Sequence, residues 1–504
     1  KLWLDLGHNF TDIGDQFMDP LQFKSELTPL DTELSIANLV GEPFPGWHYS
    51  DLLINEFKNQ GYIENETLFT FPYDWRYGVS GKYADGSTNV DKLNQKIQEI
   101  LTQTGSSKVN VIAHSTGGLL VKKYVVDNPA DHHIGKAVFV GVPNLGAPKA
   151  VKVLLQGDNF NITGLNDEEI KKIAENMPVA YDLLPSRKYY DSAGSFVAIV
   201  DIGYYSGPND TEKDLNYEET KSFLTDDHEL NSTALTEAEN LHTQDFDNFD
   251  LRTAGVDIYA INGCKTPTLA QLAEIKSKDI FGAYHTGYDI LKEMTGDGTV
   301  TWASTDSIPV NNNNTFYLIK ADHGKMLSAN GSRQEIVNII SGSSLNVGDS
   351  LISYSELDAD NSECQLTGHW FKLFSPVSIE IFDQNGNRSG VASDDSVQND
   401  IPGADYEVID DHKFVFLPTD ESQAYTINLK GTGEGTFTFK DSEVDGDVIQ
   451  TQIFSNIPVS PNLSGKVLLG PLGTTIVLDT NGDGTIDQTI NPSSVVNAEQ
   501  SQDI

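Results

Sequence analysis

Apolar positions along this chain follow two different patterns. In the first two thirds, short aliphatic runs alternate with stretches at helical spacing. Val109 to Ala113 is one such run, and beyond it Leu119, Leu120 and Tyr124 fall on a helical period. Val90 to Leu101 places Leu93, Ile97, Ile100 and Leu101 at helical spacing, and Lys136 to Gly141 is a second buried-strand run. Lys1 to Leu6 reads as a short amphipathic segment, Pro45 to Gly61 as a helix closed by Gly61, and Glu66 to Phe71 as a strand. Val256 to Ile261 and Thr315 to Lys320 resume the strand pattern further on. Strands alternating with helices predict an α/β fold with a mostly parallel sheet covered on both faces.

Residues 149 to about 254 interrupt this rhythm. Leu165 to Met177 predicts an amphipathic helix, with Val179-Ala-Tyr-Asp-Leu-Leu-Pro185 after it and an acidic run to Leu251. Beyond Ser341 helical periods give way to short alternating strands: Val377 to Phe382, Lys413 to Leu417, Tyr425 to Leu429, Gly435 to Phe439, Lys466 to Leu469 and Thr475 to Leu478. Asn385-Gly, Asp445-Gly and Asn481-Gly separate them as turns, and the pattern predicts an all-β sandwich. The expected division is an α/β domain over 1–344 with its insertion at 149–254, a β-sandwich accessory domain over 345–490, and a tail or linker over 491–504.

The candidate chemistry lies where the run at 109–113 meets its helix. Ala113-His-Ser-Thr-Gly117 is a Gly-x-Ser-x-Gly elbow with alanine in the first position. A tight strand-to-helix turn lifts the Ser115 hydroxyl clear of the sheet. It also aims the Thr116 amide, at the positive end of the helix, at an oxyanion formed in acyl transfer. Such chemistry needs a carboxylate and a histidine following in the order Ser, Asp, His. Asp297, in Gly296-Asp-Gly298, and His323, in Ala321-Asp-His-Gly324, satisfy it; Asp306, Asp322 and His285 are rivals. His114 reads as a packing residue under the elbow rather than a second base.

Four motifs make this part of the chain resemble the lecithin:cholesterol acyltransferase family. They are Pro72-Tyr-Asp-Trp-Arg76, Ala113-His-Ser-Thr-Gly-Gly118, Val142-Pro-Asn-Leu-Gly-Ala-Pro148 and Gly296-Asp-Gly-Thr-Val300, in family order; Leu2-Trp-Leu-Asp-Leu6 is similar too. The resemblance covers about residues 1–340 and implies an α/β-hydrolase fold with a lid and an acyl-ester substrate. Catalytic Ser115, Asp297 and His323 are then expected, with Thr116 in the oxyanion hole. The insertion at 149–254 is the expected lid, with Tyr181, Leu183 and Leu184, and also Tyr189 and Tyr190, lining an acyl groove; an ordinary small helical subdomain explains any one of them equally. Two positions depart from the family. Its other oxyanion amide comes from a glycine-rich loop upstream of the Trp-Leu-Asp-Leu segment, for which Gly7-His8 is a poor substitute. Thr301 stands where the family usually has proline. We read the chain as a fragment or processed form of such an enzyme.

Composition narrows the partners. The 504 residues carry 33 basic and 74 acidic side chains, a net charge of −41. Nucleic acid and anionic membranes are therefore poor partners, whereas a lipid or other acyl ester, met at a lipid surface, fits the motifs. No run approaches the roughly 20 apolar residues of a membrane span. A secreted or cell-surface protein of bacterial type is expected. Cys264 and Cys364 lie in different segments and make no disulfide framework. Triad chemistry needs no cofactor. Asp479, Asn481, Asp483 and Asp487 have the spacing of an EF-hand-like calcium loop, but position 12 is Ile490, and a hairpin turn explains the stretch nearly as well. A non-catalytic surface-binding protein on a degenerate hydrolase scaffold is the alternative from a different class.

Overall fold

The computed structural model describes residues 16–34, 36, 39, 41–42, 47–160, 165–203, 211–278, 284–374, 376–392, 397–409, 412–419, 424–446, 448–470 and 473–499. Lys1 to Leu6, Gly7-His8 and the last residues of the expected tail lie outside them. The chain opens with α1 (Asp51–Asn59), α2 (Asn89–Thr104), β1 (Val109–His114), α3 (Thr116–Asp127) and β2 (Ile134–Val140). The insertion follows, with α4 (Lys149–Leu155), α5 (Asp167–Ala174), α6 (Pro178–Asp182), α7 (Arg187–Ala193), β3 (Val197–Gly203), β4 (Thr211–Asp214), α8 (Tyr217–Ser222) and α9 (Ser232–Asn240). Then come β5 (Asp257–Cys264), β6 (Thr266–Lys278), β7 (Tyr284–Gly296), α10 (Trp302–Thr305), β8 (Thr315–Ile319), α11 (Ser332–Ser341) and β9 (Leu351–Ser353).

β1, β2, β5 and β8 lie side by side in that order, all parallel, and β9 closes the edge antiparallel. The buried runs have a simple cause. Along β2, Ala137 and Phe139 face Leu119, Leu120 and Tyr124 of α3 and Leu93 and Ile97 of α2. Val138 and Val140 face the other way, toward Leu53 and Phe57 of α1 and Ile336 and Val337 of α11. A strand covered on both sides gains from apolar residues at every position. α2 is fixed at its ends by a Thr88–Asp91 capping box and by Gly105 in the left-handed region.

Several expectations need correction. Glu66 to Phe71 forms no strand. Ile63 O instead collects the N–H groups of Glu66, Thr67 and Leu68, and Asn65 turns the chain at φ 61°. The helix expected to reach Met177 stops at Ala174, and Pro178 starts α6. The first sheet takes its edge strand from Leu351–Ser353, so it reaches past the expected boundary at 344. Ser494–Glu499 is not tail or linker: it pairs antiparallel with Val448 to Ile453, satisfying its backbone as an edge strand.

Two antiparallel sheets, of six and seven strands, make up the C-terminal part. They share one core that includes Phe371, Ile379, Val415, Leu429, Phe439 and Ile476. This part rests on the β6–β7 hairpin, which the sequence pattern did not reveal. Leu269 and Ile290 of the hairpin are buried with Leu366, Trp370, Phe414 and Phe416. A Cys264–Cys364 disulfide, with Cα atoms 5.2 Å apart, joins the end of β5 to the same junction, so the two cysteines pair after all. It closes a separation of 100 residues, a loop whose closure entropy is about 4–5 kcal/mol in the chain-entropy account.

Charges are buried at this junction too. Lys152 lies 2.8 Å from Glu407 and 3.3 Å from Asp158, with Lys149 beside both carboxylates. Burial alone would raise the Asp158 pKa, but Lys149 and Lys152 outweigh it and hold it at about 2. Burial and then Glu407 push neighbouring Asp405 up to about 7. A second buried carboxylate ties the insertion to the core. Asp182 of α6 accepts the N–H groups of Val79 (2.7 Å) and Ser80 (3.1 Å) through one oxygen, and its other oxygen has no partner. Burial pushes its pKa up to about 6.

Two predictions follow from these buried groups. Lys152→Ala leaves Asp158 and Glu407 without their closest cation and should destabilise the protein by about 3–5 kcal/mol in denaturant titration; a change below about 1 kcal/mol would show that the network contributes no net stability. For Asp182 the folded pKa lies above the unfolded one. Its ionisation therefore costs nothing well below pH 4, costs more as pH rises to about 6, and costs a constant amount beyond. Between pH 4 and pH 7 the stability difference between wild type and Asp182→Asn should shift toward the variant by about 1–3 kcal/mol. A difference independent of pH would contradict the burial of an ionised carboxyl there.

Candidate active site

The C-terminal ends of β1, β2, β5 and β8 meet at one edge of the parallel sheet, and the candidate residues gather there. Ser115 caps α3 at φ 54°, ψ −131°, a backbone region that non-glycine residues rarely occupy. Its N–H is held by Val140 O at 3.0 Å. Gly118 in the first turn of α3 must stay small, because a Cβ there would lie 2.2 Å from Val142 Cγ2. Thr116 begins α3, so its amide belongs to the helix's open N-terminal turn.

Ser115 Oγ lies 2.9 Å from His323 Nε2, and His323 Nδ1 lies 2.7 Å from Asp297 Oδ2. A carboxylate only accepts, so Nδ1 carries the proton toward Asp297 and Nε2 keeps its lone pair toward the hydroxyl. Asp297 is 1% exposed, and its other oxygen accepts the N–H groups of Thr299 (3.0 Å) and Val300 (2.7 Å). Its backbone carbonyl accepts His323 N–H at 2.9 Å. The chain passes beneath this pair at Gly141, φ +56°, where a Cβ would lie 3.0 Å from Asp297 Oδ2 and 3.3 Å from His323 Nδ1. No side chain fits between.

The rival residues stand elsewhere. Asp306 accepts from Asn262 and Tyr317, and Asp322 caps Gly324 and pairs with Lys325. His285 sits opposite Ser277 near the far end of the hairpin from Asp297. His114 is 2.9 Å from His323 O and 3.1 Å from Tyr49 OH, so it makes polar contacts that the packing reading did not include. Nothing in the sequence around Tyr49 signalled that contact.

The Pro-Tyr-Asp-Trp-Arg motif builds a rigid wall beside the elbow. Asp74 binds Arg76 at its N–H, Nε and Nη2 (2.7–3.2 Å), and Asn89 ties Asp74 O to Gly78 O. The Tyr73 hydroxyl lies over Gly117, 3.9 Å from where a Cβ would stand. Of the expected groove residues, Tyr181 and Leu184 are buried inside the insertion and line an apolar pocket with Phe196, Tyr217 and Leu224. Leu183 is half-buried where the insertion's core meets that of the sheet. Tyr189 is buried and accepts from Thr301 Oγ1 at 3.3 Å, beside the Asp297 loop, while Tyr190 is half-buried.

The expected calcium ligands do not converge. Asp479 accepts the N–H groups of Asn481, Gly482 and Gly484, Asn481 and Asp483 each accept from the residue two further on, and Asp487 binds Thr480. These are the local bonds of a turn. Among the described residues only Glu42, His48 and Asp51 bring three such donors within 4.8 Å of one another.

The lecithin:cholesterol acyltransferase family profile matches residues 34–322, from upstream of α1 to the residue before His323. Mouse phosphatidylcholine-sterol acyltransferase is 24% identical over 302 residues, covering 58% of this chain and 63% of the mouse protein. The rat protein is 23% identical over 304 residues with the same coverage. The chain thus spans less than two thirds of these relatives' length. Lecithin-cholesterol acyltransferase-like 4 of Arabidopsis thaliana is 31% identical over 116 residues, 22% of this chain and 21% of that protein. Among solved structures, Bacillus licheniformis lipase BlEst2 in propeptide form matches at TM-score 0.25 and 12% identity over 82% of this chain and 84% of its own. Phospholipase PlaB from Legionella pneumophila matches at TM-score 0.30 and 11% identity over 81% and 87%. With its profile spanning more than half of the sequence, the chain belongs to the lecithin:cholesterol acyltransferase family.

Proposed function

We propose that this chain is a serine-dependent acyl-ester hydrolase or acyltransferase of α/β-hydrolase fold, acting on lipid esters. The hydrogen-bonded series Ser115–His323–Asp297 is the single observation that carries this reading. In the proposed reaction His323 Nε2 takes the Ser115 proton as Oγ attacks the acyl carbonyl. The resulting oxyanion is held by the Thr116 N–H, a donor type whose removal elsewhere costs about 10²–10³ in rate. His323 then hands its proton to the leaving alcohol, and the acyl group stays on Ser115. Water or a second alcohol completes the cycle, giving hydrolysis or transfer. Asp297 keeps the imidazole in the required tautomer and stabilises it when charged.

In this reading the insertion at 149–254 is a lid, and Tyr181, Leu183 and Leu184 belong to the acyl-binding side of the site. The C-terminal sheets form a β-sandwich that attaches the enzyme to a surface or a neighbouring domain. Domain limits shift accordingly, the α/β domain running through β9 and the sandwich through Glu499. No described helix is long and apolar enough to cross a membrane, and the Cys264–Cys364 bridge suits an oxidising location outside the cell.

A fluorophosphonate should label Ser115 in the folded chain. Ser115→Ala or His323→Ala should lower kcat by roughly 10⁴–10⁶ while preserving the fold, and Asp297→Asn somewhat less. An inert Ser115 would favour a binding protein on a hydrolase scaffold, and a harmless Asp297→Asn would remove the acid from the mechanism. The lid makes a separate prediction. Uncovering apolar surface costs about 25 cal/mol per Å², which contact with lipid offsets. Rates measured across the aggregation point of an ester should therefore rise sharply there; simple saturation through that point would point to a soluble ester instead.

A further inference from the structure

We infer that His114 is a positioning residue, a neutral bridge that fixes the backbone of His323 from beneath and is itself set by Tyr49. The inference rests on the serine-triad reading of the site. Although His114 adjoins Ser115 in sequence, its ring lies under the His323 loop, with the two imidazole centroids 4.6 Å apart. Its Nε2 is 2.9 Å from the carbonyl oxygen of His323, and a carbonyl can only accept, so Nε2 carries the hydrogen. In the neutral ring Nδ1 is then an acceptor, and it faces the Tyr49 hydroxyl at 3.1 Å, which donates. Both ring nitrogens are therefore committed. Neither has a lone pair for proton transfer from substrate, which excludes His114 as a second base.

The ring's surroundings keep it neutral. Burial first, and then His323, hold its pKa down at about 3, with Asp297 opposing. Tyr49 is half-buried, its phenol pushed up to about 12 by desolvation, and Tyr73 stands next to it. The ionisable groups bearing on His114 are thus Tyr49, Tyr73, His323 and Asp297. Tyr49 is held in its own right, since its carbonyl accepts Ser328 Oγ at 2.9 Å and its N–H reaches Gly41 O at 2.8 Å.

His323 needs such support because it begins a single short 3-10 turn, His323–Lys325. Asp297 O anchors its N–H and Asp297 Oδ2 its ring, while its carbonyl, on the other side of Cα, accepts Met326 N–H at a long 3.4 Å. The His114 bond at 2.9 Å is the shorter hold on that carbonyl, and together with the N–H bond it fixes the backbone on both sides of the His323 Cα from which the imidazole projects. A misplacement of about 1 Å at a reacting group costs about 10² in rate.

The test combines three variants with a spectroscopic reading. His114→Leu should lower kcat on a soluble short-chain ester about 10²-fold, with KM little changed. His114→Gln, whose amide places a donor near the former Nε2, should recover most of that loss. Tyr49→Phe should fall between them. In the histidine-¹⁵N-labelled wild-type protein, His114 should show the Nε2-protonated tautomer and no titration between pH 4.5 and 8. Full activity in His114→Leu, a glutamine variant no better than leucine, or a His114 that titrates in that range would each overturn the inference. If His114→Leu failed to fold, the glutamine variant and the spectrum would still decide. A wild-type chain inert toward fluorophosphonate would defeat the enzyme reading, whereas the tautomer would still judge the Tyr49–His114–His323 arrangement.

Discussion

The bonds that converge on Asp297 hold the rest of the site in place. One carboxylate oxygen is filled by the amides of its own loop, the other faces His323 Nδ1, and the backbone carbonyl takes His323 N–H. Two loops from different strands are thereby locked into one unit. The fold makes room for that unit by ending β2 at Val140 and passing Gly141 directly beneath it. With that carboxylate fully bonded, His323 is presented to Ser115 in one tautomer and one orientation, so that in the proposed reaction no reorganisation is needed when charge develops.

The supports of Asp297 extend well beyond the parallel sheet. It directly follows β7, whose partner strand β6 leaves β5 at Cys264. The same hairpin buries Leu269 and Ile290 against the C-terminal sheets, and the disulfide fastens its base. Removing residues 345–504 would therefore expose apolar surface and break a covalent link next to the Asp297 loop. An accessory module with a loose tether would be dispensable. This one is packed into the support of the site, with Lys149 and Lys152 meeting Glu407 across the junction.

Local signals were legible in the sequence where local chemistry decided the outcome. The elbow at Ser115 depends on strand, tight turn and helix all lying between Val109 and Asp127, and β2 shows its two-sided burial in its own composition. The order Ser, Asp, His singled out Asp297 and His323, which lie within hydrogen-bonding reach of each other beside Ser115, while Asp306 and Asp322 are bonded elsewhere. What the pattern concealed was set by distant partners. The β6 run Leu269-Ala-Gln-Leu-Ala-Glu-Ile275 suits a helix as well as a strand, and it is a strand because β3 and β7 pair with it. Cys264 and Cys364 are 100 residues apart, and only the fold brings them together.

Acyl transfer through Ser115 is the central claim, and the covalent intermediate tests it most directly. The full chain would be mixed with a chromogenic medium-chain ester, quenched in acid within the first turnovers, and digested for mass spectrometry. The account expects an acyl adduct on the peptide containing Ser115. That adduct should persist longer in His323→Ala if any forms there, because deacylation lacks its base. Ester turnover with no adduct on Ser115, or with the acyl group mapped to another residue, would contradict it.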